Sequence, residues 1–575
     1  MAGSQGIRIL GVSVGVDGEW MRGAARVARG GRRRFWWFLP ASSGASKRPW
    51  PLSLQFPAVR DGSKRAGVNP YDGIHNFGAV VSSDETVAPT GSPWYAPRST
   101  YLNNLTTALD ASQQGVYGFI FNSSTTPAGK YGTYNWCNMP HVRKPEYKVP
   151  DKSKKLAYVE LIHRHHKRTP YAANSFPQEP YRWNCTDAQI HMYSEPQPTG
   201  KKDLQKKPGK AHYLPTFDTP GNPFLAAAPG WHGSCQFPQL TEGGLEDAWQ
   251  HGADLYAVYH DLLGFLPDMA AADKWLNQVS FRITNNPITS QTVTMVLGGM
   301  AGFKIVPDTP LVLEPASYDS LEPQYTCSAA STLFSQITSK SGGTSGSTAW
   351  SDHLEELQPL YSKLDAASGV STTDSGFHVS VDHYYDNLSA RQCHGKPAVE
   401  GISQGIADTV FRVGQWEYSR MYRDDARSLA ASTGAWGVWV AQLAGNLRAA
   451  IAGTSAVKYR HNVAHDGSVS RLLSILQVDE MVWPGMGSEV VFELWQDASS
   501  GHGGHGGHEN KNEDKDKKTQ YYVRVMFSGK VLTSSHPDLG VLDMLPVDTL
   551  LGYIDGLVGP AASHLPAKCN GTLSL

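Results

Sequence analysis

Leu156-Ala157-Tyr158-Val159-Glu160-Leu161-Ile162 leads without a break into His163-Arg164-His165-His166-Lys167-Arg168-Thr169-Pro170. The first seven residues form a short, mostly apolar run, which predicts a buried strand. In open α/β sheets ligands bind beyond the carboxyl ends of the strands, so the basic, histidine-rich segment falls where a site would be. Phosphoryl transfer requires positive charge around the non-bridging oxygens, an in-line nucleophile and an acid for the leaving oxygen. Arginine supplies a planar fork that matches phosphate, and an imidazole nitrogen can attack phosphorus. Two plainer readings compete: a solvated basic loop, and a histidine cluster with an affinity for metal.

Working outward, Thr241 can cap a helix over Glu242 to Leu263, with apolar or aromatic residues at Leu245, Ala248, Trp249, Leu255, Tyr256 and Tyr259. Residues 279–284 read as a second strand. Ala441 to Ala452 reads as a helix, and Ala456 to Val463 as a strand running into Ala464-His465-Asp466-Gly467. Residues 489–495 and 521–527 look like a strand pair. This pattern predicts an α/β fold, with a central mixed sheet flanked by helices and an inserted, mainly helical cap over 305–430. The core then comprises 151–304 and 431–575, with a disordered polar loop over 499–518. Residues 68–150 read as a loop-rich extension. Residues 1–67, with Arg32-Arg33-Arg34 and no proper signal sequence, read as an unstructured leader or a misassigned translation start.

The 575 residues carry a formal net charge of −1, which argues against a general nucleic-acid binder; a basic arm at the N-terminus is the remaining possibility of that kind. No long uninterrupted apolar run predicts a membrane span, since Gly434 to Gly453 is broken by Arg448. Six cysteines without a Cys-x-x-Cys pair make a zinc ribbon improbable and leave up to three disulfides open among 15 pairings. Sequons at Asn104, Asn122, Asn184, Asn387 and Asn570 fit a glycosylated protein of the secretory pathway.

His465-Asp466 at the end of another strand adds an imidazole that can hydrogen-bond a phosphate and a carboxyl group that can act as general acid. Together, Arg164-His165-x-x-Arg168-x-Pro170, the Leu240-Thr241-x-x-Gly244 helix entry, His465-Asp466 and the C-terminal strand pair resemble the histidine acid phosphatases, branch 2 of the histidine phosphatase superfamily. The resemblance covers about residues 150–575 in the right order. It implies that His165 is a phosphohistidine-forming nucleophile, that Arg164 and Arg168 clamp the phosphate, that His465 contacts it and that Asp466 donates the proton. It further implies a small phosphomonoester as substrate, a helical roof over the site, disulfides, and no metal or other cofactor. The sequence departs from the signature twice. His166 stands where the signature has glycine, and the family's third phosphate arginine falls on Ile288, with Arg282 six residues earlier as the residue to replace it.

Other readings remain. The missing third arginine favours a phosphate-ester-binding protein with little turnover, and the cap could confer phytase-like specificity. Gly401-Ile402-Ser403-Gln404-Gly405 matches a nucleophile elbow but lacks the preceding apolar strand. His502, His505 and His508 could hold a metal weakly on a flexible loop, although such tracts are usually solvated linker. Substrate identity and oligomeric state are left open.

Overall fold

The computed structural model describes residues 93–110, 136–179, 181–194, 209–215, 232–302, 306–339, 348–498 and 519–571. The leader over 1–67, the loop over 499–518, the histidines at 502, 505 and 508 and the sequon at Asn122 lie outside the described residues.

A mixed sheet of eight strands forms the centre. In chain order these are β1 (Lys154–Arg164), β2 (Val279–Ile283), β3 (Leu311–Leu313), β4 (Tyr459–Ala464), β5 (Glu489–Asp497), β6 (Tyr521–Phe527), β7 (Lys530–Val531) and β8 (Leu545–Pro546). Their order across the sheet is β7-β6-β5-β1-β4-β2-β3, with β8 pairing on β6. β1, β4, β2 and β3 run parallel, whereas β5 joins β1 and β6 joins β5 antiparallel. The expected strand over 156–162 therefore extends at both ends and carries Arg164 as its last residue.

Period-2 alternation along β1 divides its side chains between two cores. Val159 and Leu161 pack into one with Val293, Val296 and Tyr459, against helices α1 (Glu242–Tyr256) and α2 (Pro287–Ala301). Tyr158 and Ile162 pack into the other with Leu443, Leu447, Leu550 and Ile554. All four β1 residues are essentially inaccessible to solvent. At this burial, truncating Leu161 to alanine costs about 2–5 kcal/mol.

Between β3 and β4 the chain is mainly helical, including α3 (Asp382–Cys393), α4 (Gln404–Ser419) and α5 (Ser428–Ala452). Two boundaries differ from the sequence reading. Leu311–Leu313, inside the stretch expected to be all insert, belongs to the sheet edge. α5 begins well before Ala441 because Trp436 and Trp439 are buried, so the segment is apolar on more than one side and shows no clean amphipathic period. Among the described residues no helix is long and apolar enough to cross a membrane.

Beyond α5, α6 (Asp466–Ile475) starts directly at the end of β4, and α7 (Val547–Val558) packs against α5. All six cysteines pair: Cys137–Cys393, Cys185–Cys235 and Cys327–Cys569. One sequon fails on structural grounds. Asn387 is completely buried in α3 and donates its side-chain N–H to the Asn174 carbonyl at 2.9 Å, so no glycan can be carried there by the folded chain.

Candidate active site

β1, β4 and β2 are parallel neighbours, so their carboxyl ends deliver consecutive residues to one place. Arg164 is paired in register with Ala464, and Ile283 with Val463. The residues that follow are His165, His465 and Thr284. The His165 amide donates to the Ala464 carbonyl at 3.1 Å, and the His165 and His465 rings stand edge to face with centroids 5.5 Å apart. His465 Nε2 is 2.9 Å from Thr284 Oγ1 and 3.4 Å from a Glu322 carboxylate oxygen.

His165 is almost wholly buried, and its Nδ1 lies 3.0 Å from the His166 carbonyl oxygen. A carbonyl can only accept, so Nδ1 carries the proton and Nε2 keeps the lone pair. Burial, followed by the charges of Arg168 and Arg164 and then His465, lowers the His165 pKa well below the ordinary imidazole value. The ring is therefore neutral under acidic conditions in which a solvated histidine would be protonated.

The two guanidinium groups are held from different directions. Arg164 donates to the Pro484 carbonyl at 2.7 Å, pairs with Asp466 at 3.0 Å and lies over the Trp136 ring. Arg168 pairs with Asp386 of α3 at 2.9 Å, donates to the Thr169 carbonyl and stacks over Tyr171. Asp386 also accepts from the Tyr171 amide and from Asn174, which locks the start of α3 onto the loop.

Asp466 opens α6. Its carboxylate accepts from the Trp483 indole at 3.0 Å and the Tyr418 hydroxyl at 3.3 Å. Burial would raise its pKa, but Arg164, the Trp483 hydrogen bond, Arg168 and His465 outweigh that and hold it below the usual carboxylate range. Asp382, one turn before Asp386 on α3, is driven the other way. Burial and the charges of Asp386, Asp466 and Glu417 raise its pKa well above the ordinary value.

The glycine missing from the signature is accommodated elsewhere. Gly487 sits at φ +73, and a Cβ there would stand 2.5 Å from the His166 ring; a glycine in the facing segment makes the room the loop itself does not. Gly244, in the Leu-Thr-x-x-Gly entry, approaches so closely that a Cβ would lie 1.9 Å from the Lys167 carbonyl oxygen. Thr241 caps α1 as expected, accepting from the Gly244 amide.

The structure thus brings Arg164, His165, Arg168, His465 and Asp466 together. Arg282 is engaged differently: one guanidinium nitrogen contacts Glu314 at 2.6 Å, Asp319 at 2.9 Å and Ser320 at 3.0 Å, and another contacts Gln442. Ile288 is completely buried in the first turn of α2. Ser403 is the N-cap of α4, accepting from the Ile406 amide, and no strand precedes it. The sequence reading missed Asp386, Asp382, Trp136, Tyr418 and Trp483. The carboxylates on α3 lie more than two hundred residues from the loop they serve, and no local pattern marks them.

No family model matches the chain. It is 23% identical over 432 residues to counting factor 60 of Dictyostelium discoideum, covering 73% of this chain and 89% of that one. Similar solved structures include a Hafnia alvei phytase in complex with tartrate, at 13% identity and TM-score 0.43, covering 72% of this chain and 99% of that one. A phytase from D. castellii matches at 14% identity and TM-score 0.41, over 73% and 84% of the two chains. A multiple inositol polyphosphate phosphatase of Bifidobacterium longum matches at 10% and 0.37, over 69% and 92%.

Proposed function

We propose that this chain is a phosphomonoesterase of the histidine acid phosphatase type, working through a phosphohistidine on His165. The observation that carries the reading is the His165 ring: neutral, proton fixed on Nδ1 by a backbone carbonyl, lone pair on Nε2, and two guanidinium groups beside it. In this mechanism Arg164 and Arg168 bind the non-bridging oxygens of a phosphomonoester. Nε2 attacks phosphorus, the ester P–O bond breaks, and Asp466 gives its proton to the departing alkoxide. Water then attacks the phosphohistidine with Asp466 as base, releasing inorganic phosphate and the free imidazole.

Asp466 is ionised in the free site, so the donor role requires substrate to change its surroundings. A bound phosphate satisfies Arg164 and Arg168 and adds negative charge of its own, and both effects raise the Asp466 pKa. His465 is assigned to the phosphate. Arg282 is assigned to the scaffold, since two carboxylates already use its charge. The Glu322 carboxylate beside His465 favours a substrate with little negative charge beyond the reacting phosphate over a polyphosphorylated inositol. Three disulfides suit a protein folded in an oxidising, secretory compartment.

The test is rapid acid-free quenching of the reaction with a labelled aryl phosphate. Acid-labile label should appear on the protein. His165→Ala should remove it and lower turnover by a factor on the order of 10⁶, as when the nucleophile of a covalent catalytic unit is removed. Undiminished turnover in that variant would overturn the reading, and a chain that binds phosphate esters without turnover would give neither label nor product.

A further inference from the structure

Behind the loop, on the α1 side of the sheet, the same alternation that buries Val159 and Leu161 brings His163 of β1 and His461 of β4 beside His251 of α1 and His166. We propose that His163, His166 and His251, with His461 as fourth donor, form a site for one divalent cation of the zinc class. This site is independent of the phosphoryl chemistry proposed for His165.

The ligand nitrogens of His163, His166 and His251 all lie within 4.8 Å of one another. His166 Nε2 is 3.1 Å from His251 Nδ1, and His163 Nε2 is 2.7 Å from His461 Nε2. Around a tetrahedral zinc with Zn–N of about 2.0–2.1 Å, neighbouring nitrogens stand about 3.3 Å apart. The two pairs therefore need to open by about 0.2–0.6 Å, and the widest separation within the triad to close by up to about 1.5 Å, to hold the ion.

The outer contacts are those a metal site needs. His251 donates its other ring N–H to the Glu489 carboxylate at 3.0 Å, and His163 donates Nδ1–H to the Arg164 carbonyl at 2.8 Å. Such contacts fix the tautomer that directs the remaining nitrogen to a metal. Glu489 is fully buried against His251 and the Val142 amide, so a cation behind His251 would offset its charge. His166 presents Nε2 to the ion, so its buried Nδ1 carries the proton. An all-imidazole donor set selects zinc, copper or nickel over magnesium or calcium.

The experiment uses the full chain with His502, His505 and His508 changed to alanine, so that the loop tract contributes nothing. After incubation with zinc near neutral pH and removal of free ion, elemental analysis should find about one zinc per chain. The melting temperature should rise with zinc and fall with chelator. His251→Gln and His461→Gln should each lose the zinc. Cobalt added to the chain without these two changes should give the intense visible bands of a tetrahedral site, a readout that survives if either variant misfolds. No retained zinc, zinc retained undiminished in a folded His251→Gln protein, or only weak octahedral cobalt bands would each overturn the proposal.

Discussion

His165 and His166 are consecutive in the chain and both are buried, yet they keep different company. The first stands among guanidinium groups and His465, with its Nδ1 tied to a carbonyl; the ring of the second stands against those of His163 and His251 and faces the gap left by Gly487. On one side of the strand end the partners are charged and surround an imidazole whose Nδ1 proton is fixed by a carbonyl. On the other they are imidazoles joined in pairs over a buried carboxylate. The same residue type is thus given two chemistries by its neighbours, and the boundary between them is a single peptide bond.

The largest effect that separates the two sides falls on Asp466. Asp466→Asn should slow hydrolysis of alkyl phosphates by about 10²–10⁴, with much smaller losses for aryl phosphates whose leaving groups need no proton. Zinc content should stay unchanged. Equal losses along a leaving-group series would show that Asp466 only positions Arg164 and Trp483.

A cation belonging to neither side provides the control. Arg282→Ala leaves Asp319, which is almost wholly buried, without its partner and should cost about 3 kcal/mol in denaturant unfolding while kcat stays the same. A fall in kcat at unchanged stability would return Arg282 to the phosphate site.

The smallest effect is a displaced pH profile. The depressed His165 pKa keeps the nucleophile neutral below the ordinary histidine value, so kcat/KM should hold as pH falls through about 6.5. Arg168→Gln removes one of the positive charges that depress it. The His165 pKa then rises, less of the ring is neutral in acid, and the acid limb should move up by about one pH unit. An acid limb that does not move would mean that another group controls it.

Much of the site could be read from residues alone, because phosphate chemistry demands residue types that are conspicuous when they cluster after an apolar run. Arg164, His165 and Arg168 share one short segment, and His465-Asp466 follows another strand. Their convergence follows from two parallel strands lying side by side, which is a matter of sheet order. The glycine replaced by His166 looked like a defect in sequence, and only Gly487 across the gap accounts for it.

By itself the sequence determined the strand, the basic loop at its carboxyl end and the Thr241 cap, because each depends on neighbours within a few residues, and it marked His165 as the candidate nucleophile. The tertiary structure decided which side of the sheet each histidine meets, which carboxylates restrain the two arginines, and that Arg282 is taken up by Glu314 and Asp319. β1 is buried on both faces, so its run of apolar residues does not distinguish one face from the other. That distinction comes from α1 and α2 packing on one side and the helices of the other core on the opposite side, and the decisive contact between Arg168 and Asp386 spans 218 residues.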